Sequence, residues 1–187
     1  STISWELIVP PVGDIRREPS RLTPLLVFVH KATSPQFGDE VLSKFRGLLN
    51  PRQVFEMTET TEFFPANAFD TGLDFAKECW GHLGIRILVC GNDYTVISSL
   101  QNLRKRGLRP GIAIIPFGEP NDIAAALGWG PVYNGDSVRD RLLSVVRSRE
   151  SVMDFWLIQP RPLAFPSGFP ILPSKPPRPM IVNWSLG

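Results

Sequence analysis

Residues 85–95 read IRILVC followed by GNDYT: an apolar run from Ile85 to Cys90, then the turn Gly91-Asn92-Asp93-Tyr94-Thr95. A short run of this kind, rich in β-branched side chains and closed by Gly and Asn, describes a strand buried on both faces. Such strands belong to parallel sheets, whose neighbours need a crossover connection that is usually a helix. The flanking sequence supplies both. Upstream, Pro24 to Val29 (PLLVFV) reads as a second buried strand, and Glu40 to Leu49 sets Val41, Leu42, Phe45, Leu48 and Leu49 on one helical face before Asn50-Pro51 ends it. Gln53 to Met57 predicts a strand and Thr71 to Trp80 a helix. Downstream, Thr95 to Arg106 predicts a helix capped by Gly107, Gly111 to Pro116 (GIAIIP) a strand, Asn121 to Leu127 a short helix capped by Gly128, and Ser137 to Arg149 a longer amphipathic helix. This βαβα alternation implies an α/β fold, a three-layer sandwich with a mostly parallel sheet.

Composition agrees with a folded chain. The 187 residues are 43% hydrophobic, enough for a sizeable core. Twenty Lys and Arg face 18 Asp and Glu, so no global field draws the protein to nucleic acid or anionic lipid. No run of about 18 apolar residues spans a bilayer and no signal-peptide pattern opens the chain, so a soluble intracellular protein, cytoplasmic or peripheral to a membrane, is expected. The two cysteines, Cys79 and Cys90, read as small hydrophobes in a reducing compartment. Cys79-x-x-His82 has a metal-site spacing, but only His30 and the buried Cys90 are left to complete a ligand set, and it reads as ordinary core or surface.

The ends of the chain differ from its middle. Ile3 to Val9 predicts an extended opening, followed by a polar link with Pro10, Pro11 and Pro19. Met153 to Ile158 and Met180 to Leu186 predict strands, separated by a stretch with eight prolines from Pro160 to Pro179. Pro173-x-x-Pro176-x-Arg178 in that stretch fits a polyproline ligand, a match that any proline-dense linker generates. Asn183-Trp184-Ser185 is a glycosylation sequon inside an apolar run and is discounted.

In parallel α/β sheets, ligands lie beyond the carboxyl ends of the strands, which directs attention to the turns beginning at His30, Gly91 and Phe117. The second reads Gly91-Asn92-Asp93-Tyr94-Thr95 and the third Phe117-Gly118-Glu119-Pro120-Asn121-Asp122. Taken alone, these residues are ordinary turn and cap chemistry. In order and spacing, however, they resemble the diacylglycerol kinase catalytic domain, with its patterns G-G-D-G-T and P-x-G-T-G-N-D. Leu49-Asn50-Pro51-Arg52-Gln53-Val54-Phe55, Gly107-Leu108-Arg109-Pro110 and Ala125-Ala126-Leu127-Gly128-Trp129-Gly130 extend the resemblance from about Pro24 to Ile158, with a weaker echo from Asn183 to Gly187. NAD kinases and phosphofructokinases share a similar Asp loop, but the flanking phrases favour the lipid-kinase branch.

The resemblance implies transfer of the γ-phosphate of ATP, with Mg²⁺, onto the free hydroxyl of diacylglycerol to give phosphatidic acid. It implies that Asp93 is catalytic and engages the metal, that Gly91, Asn92 and Thr95 shape the loop, and that Gly118, Asn121 and Asp122 serve the nucleotide. It also implies domain limits: an extension over 1–23, an ATP-binding domain over 24–158, a proline-rich linker or insertion over 159–179, and over 180–187 the first strand of a truncated or missing β-rich domain that would supply much of the lipid cleft.

Each loop departs from the family pattern. Asn92 replaces a Gly, tolerably if the position is left-handed. Tyr94 places a ring where the family has Gly, with the bulk to fill the space of a phosphate. Glu119 adds a carboxylate, which about 4 Å from a phosphate would cost about 1–4 kcal/mol, and Pro120 removes an N–H donor. His30-Lys31-Ala32-Thr33-Ser34-Pro35 replaces N-P-K-S-G-G, with Ala32 at the Lys position and Lys31 as a substitute if the loop shifts. Lost donors and added charge favour an impaired or inactive kinase domain. A noncatalytic pseudokinase, acting as a structural or regulatory subunit with a protein partner on the proline segment, is the alternative.

Overall fold

β1 (Leu25–His30) has no exposed face: Leu25 to Val29 are each 0% exposed, as a strand at the centre of a covered parallel sheet must be. It belongs to a computed structural model that describes residues 24–57, 66–80, 84–158 and 180–183. The opening segment Ile3 to Val9, the proline stretch Pro160 to Pro179, His82 and most of the sequon lie outside those residues, as does the side chain of Cys79. The chain divides into two compact units between Glu150 and Ser151.

In the first unit β1 is followed by α1 (Gly38–Leu48), β2 (Val54–Met57), α2 (Ala66–Trp80), β3 (Arg86–Gly91), α3 (Asp93–Lys105), β4 (Gly111–Pro116), α4 (Asp122–Ala126) and α5 (Val138–Arg147). The four strands form an all-parallel sheet in the order β2-β1-β3-β4. The register sets Val29 beside Cys90 and Gly91 beside Pro116, so the turns after β1, β3 and β4 emerge at one level. The chain leaves β1 toward β2 on one side and runs from β3 to β4 on the other. The order therefore reverses between β1 and β3, the position where open α/β sheets form a crevice.

Strand alternation divides the core between the two faces. Leu25, Val27, Val29, Leu88, Cys90, Ala113 and Ile115 pack with Val41, Leu42 and Phe45 of α1 and with Val138, Leu142 and Val145 of α5. Leu26, Phe28, Ile87, Val89 and Ile114 pack with Phe69, Leu73 and Ala76 of α2, Val96 and Leu103 of α3, and Ile123 and Ala124 of α4. Three layers result, as the alternating sequence predicts. The buried Gln53 is satisfied by donating its side-chain amide to the Leu25 carbonyl at 2.7 Å.

Several element ends differ from the hydrophobic spacing. α3 begins at Asp93, not Thr95, because the Asn92 side chain accepts from Thr95 N and caps the helix. α1 begins at Gly38 instead of Glu40, α2 at Ala66 instead of Thr71, and α5 ends at Arg147 instead of Arg149. Gly107 does close α3: at φ +68° it donates to the Arg104 carbonyl while Leu108 N reaches the Leu103 carbonyl. Arg106, the last helical cap residue, bridges to α2 through Asp74 at 2.8 Å and Asp70 at 2.6 Å. These are surface pairs. Arg106→Ala is expected to lower unfolding free energy by about 0.5–1 kcal/mol in low salt and by less in 0.5 M NaCl, which parallel urea titrations at the two salt levels would read.

The second unit contains β5 (Phe155–Ile158) and β6 (Met180–Asn183), paired antiparallel with Phe155 opposite Asn183 and Ile158 opposite Met180. Among the described residues no helix is long and apolar enough to cross a membrane.

Candidate functional site

The turns after β1, β3 and β4 meet, and they meet through one another's polar groups. At the end of β1, the His30 ring nitrogen Nδ1 lies 2.8 Å from Thr95 Oγ1. Thr95 Oγ1 also lies 3.1 Å from Asn92 Oδ1, to which it donates. Asn92 in turn donates from Nδ2 to the Glu119 carbonyl at 3.2 Å. A chain of hydrogen bonds thus runs from the first turn through the second to the third.

Glycines mark the closest approaches. A Cβ on Gly91 would lie 2.6 Å from the Thr95 side chain, so only glycine lets α3 turn back so tightly on β3. Gly118 has φ +68°, and a Cβ there would lie 2.5 Å from the Thr33 carbonyl oxygen. The third turn therefore rests on the first. Asn92, by contrast, is extended (φ −85°, ψ −179°). The left-handed tolerance expected of it is not used, and its service is to cap α3.

Asp93 is 7% exposed at the first position of α3. Its N–H donates to the Pro120 carbonyl at 2.8 Å, and its carboxylate accepts from Asp122 N at 2.9 Å and Ile123 N at 3.1 Å. Burial holds its carboxyl above the usual range, with the two backbone donors working in the opposite sense. Asn121 stands at the N-cap position of α4 but makes no cap. Its side-chain amide donates instead to the Gly118 and Pro131 carbonyls, while Oδ1 is buried with no hydrogen-bond partner.

Lys31 is held between two acids, 2.7 Å from Asp39 and 2.8 Å from Glu56, which raise its already basic pKa. Tyr94 and Glu119 both face solvent, Tyr94 with 64% of its surface exposed, and neither side chain enters the core. Asp122 is exposed as well. One wall escaped the sequence reading: Tyr133 is buried against Phe117 and, edge to face, Phe37, and its hydroxyl donates to the Asp136 carbonyl at 2.6 Å. Its isolation in a polar segment, Val132 to Asp136, was the only signal available.

The structure thus brings Gly91, Asn92, Asp93, Thr95, Gly118, Asn121 and Asp122 to one place. Asp93 is a poor fit to the Mg²⁺ implied for it: each carboxylate oxygen already accepts from a backbone N–H, and the side chain is 7% exposed.

Comparison with known proteins gives the same family from a different direction. Residues 24–156 match the family model described as the diacylglycerol kinase catalytic domain. Diacylglycerol kinase theta of the mouse, Mus musculus, is 35% identical over 157 residues, which cover 81% of this chain and 16% of the mouse protein. Probable diacylglycerol kinase 3 of Caenorhabditis elegans is 34% identical over 154 residues (81% of this chain, 17% of the relative), and the eye-specific diacylglycerol kinase of Drosophila melanogaster 32% identical over 143 residues (74% and 9%). The chain spans less than a fifth of the length of these relatives. No solved structure is a significant match.

Proposed function

Because the chain belongs to the diacylglycerol kinase catalytic domain family, we propose that its first unit is the nucleotide-binding half of such a domain, in a form whose phosphoryl transfer is impaired or lost. Membership implies ATP and a divalent metal as cofactors and diacylglycerol as acceptor. The crevice between the β1 and β3 turns is the nucleotide position, framed by Gly91, Asn92, Thr95, Gly118, Asn121 and Asp122.

What supports impairment is that several of the turns' donors are engaged within the protein. A triphosphate is held by backbone N–H groups and cations that point at it in advance. Here Thr95 N is taken by Asn92, Asp93 N by Pro120, and Lys31 by Asp39 and Glu56. Pro120 has no N–H to offer. A phosphate entering this crevice would have to displace carboxylates from Lys31, with exposed Glu119 and Asp122 at the rim. On this reading the chain acts as a noncatalytic, structural or regulatory part of a lipid-signalling assembly in the cytoplasm or at a membrane surface. Its proline segment is the natural place for a polyproline-binding partner.

Titration calorimetry with Mg-ATP tests the proposal. At millimolar nucleotide the 187-residue chain is expected to show no saturable heat and no rise in melting temperature, and to release no phosphatidic acid in diacylglycerol micelles. Saturable binding together with phosphatidic acid formation would overturn it.

A further inference from the structure

We propose that Asp93 is a positioning residue that caps α4 from outside the helix, and that this fold holds no divalent cation through it. The observation is a division of labour between two side chains. Asn121 occupies the N-cap of α4, where its side-chain oxygen would normally accept from the first turn, yet its amide is turned to the Gly118 and Pro131 carbonyls. The reversed amide orientation would set its oxygen against two carbonyl oxygens, so the assignment of donor and acceptor follows from the partners. The two N–H groups at the start of α4 are instead received by Asp93, 29 and 30 residues earlier in the chain. A carboxylate suits that position because it is acceptor-only, with an oxygen for each donor.

The same geometry makes Asp93 a poor metal ligand: of the roughly four lone-pair sites of an ionised carboxylate, two are taken by backbone N–H groups and the others belong to a side chain that is 7% exposed. Mg²⁺ takes oxygen ligands in near-ideal octahedral geometry and is usually anchored by one or two carboxylates that present free lone pairs to it. Asp93 is 7% exposed and directs each oxygen at a backbone N–H, and its own N–H is tied to the Pro120 carbonyl. Three hydrogen bonds therefore join the first residue of α3 to the turn before α4 and to α4 itself. Retention of this Asp beside altered neighbours has a reason independent of nucleotide: without it the buried start of α4 has no cap. The inference goes beyond the proposed function and stands whether or not ATP binds.

Amide hydrogen exchange with and without metal, in the 187-residue chain, separates the two roles. In Asp93→Ala the Asp122 and Ile123 amides are expected to exchange at least about tenfold faster than in the unmodified chain, through local opening of α4. Asp93→Asn should fall between, because an amide keeps one acceptor oxygen and turns a donor toward the second N–H; it carries the same readout if the alanine variant is too unstable to purify. Mg²⁺ against EDTA should leave the melting temperature of the unmodified chain unchanged, since only a ligand that binds the folded state raises it, and Mn²⁺ should not broaden amide signals of residues 91–95. Unchanged exchange at Asp122 and Ile123 in both variants would overturn the clamp. Mn²⁺ broadening that disappears in Asp93→Asn, or stabilisation by Mg²⁺ lost in that variant, would overturn the exclusion of metal. Because no nucleotide enters these measurements, they fail or succeed separately from the calorimetry.

Discussion

Phe28→Ala is expected to lower the unfolding free energy by about 3–5 kcal/mol, read as a fall in the urea midpoint with an unchanged slope. The ring is 0% exposed on the central strand, stacks against Phe55 at 5.4 Å and meets Phe69 of α2 at 4.4 Å. Its fit is tight enough that Gly72 of α2 has no room for a side chain: a Cβ there would lie 2.7 Å from the Phe28 ring. Alanine removes the ring and leaves a void between the sheet and α2, where the lining atoms lose their contacts outright. Against a total of roughly 5–15 kcal/mol for a domain, that loss brings the unit near the limit of folding. Phe28→Leu should cost clearly less, because most of the volume remains. A loss under about 1 kcal/mol for alanine would mean that α2 does not pack where it is placed.

Gly118→Ala should cost about 2–4 kcal/mol, combining about 1–2 for a side chain in the left-handed region with a steric term of overpacking size. The neighbour is the Thr33 carbonyl, which is backbone and cannot rotate aside. Gly128→Ala provides the control, for it too has positive φ, +79°, but nothing lies within 4 Å of the added carbon. The control should show the conformational part alone, about 1–2 kcal/mol. Equal losses in the two variants would show that the third turn does not rest on the first. A larger loss in Gly118→Ala, with amide shifts at Thr33, would show that it does.

Much of the sheet was legible in the sequence because buried parallel strands announce themselves by composition. PLLVFV, IRILVC and GIAIIP match β1, β3 and β4 to within a residue or so at each end. Helix starts were less legible. The Gly-Asn-Asp turn suggested that α3 waits until Thr95, whereas a cap chosen by side-chain geometry begins it at Asp93. That two-residue difference matters to the site, since it places Tyr94 in the first turn of a helix, with its ring in solvent. The position of the candidate site was also legible, from three turns at strand ends. Its chemistry was not, because the partners are distant in sequence. Lys31 is neutralised by residues 8 and 25 positions away, and Asp93 is engaged by residues 29 and 30 positions away. Spacing within a motif carries no information about such partners; the fold of the turns and the register of the sheet bring them together.

The hydrogen-bond chain from His30 through Thr95 and Asn92 to the Glu119 carbonyl has a kinetic meaning as well. A crevice whose turns are tied to each other keeps its shape in the absence of any guest. A molecule entering it exchanges existing bonds for new ones, and must wait for them to part. The slower those bonds part, the more slowly a guest would enter, so preorganisation of this kind acts on the rate of association as well as on affinity.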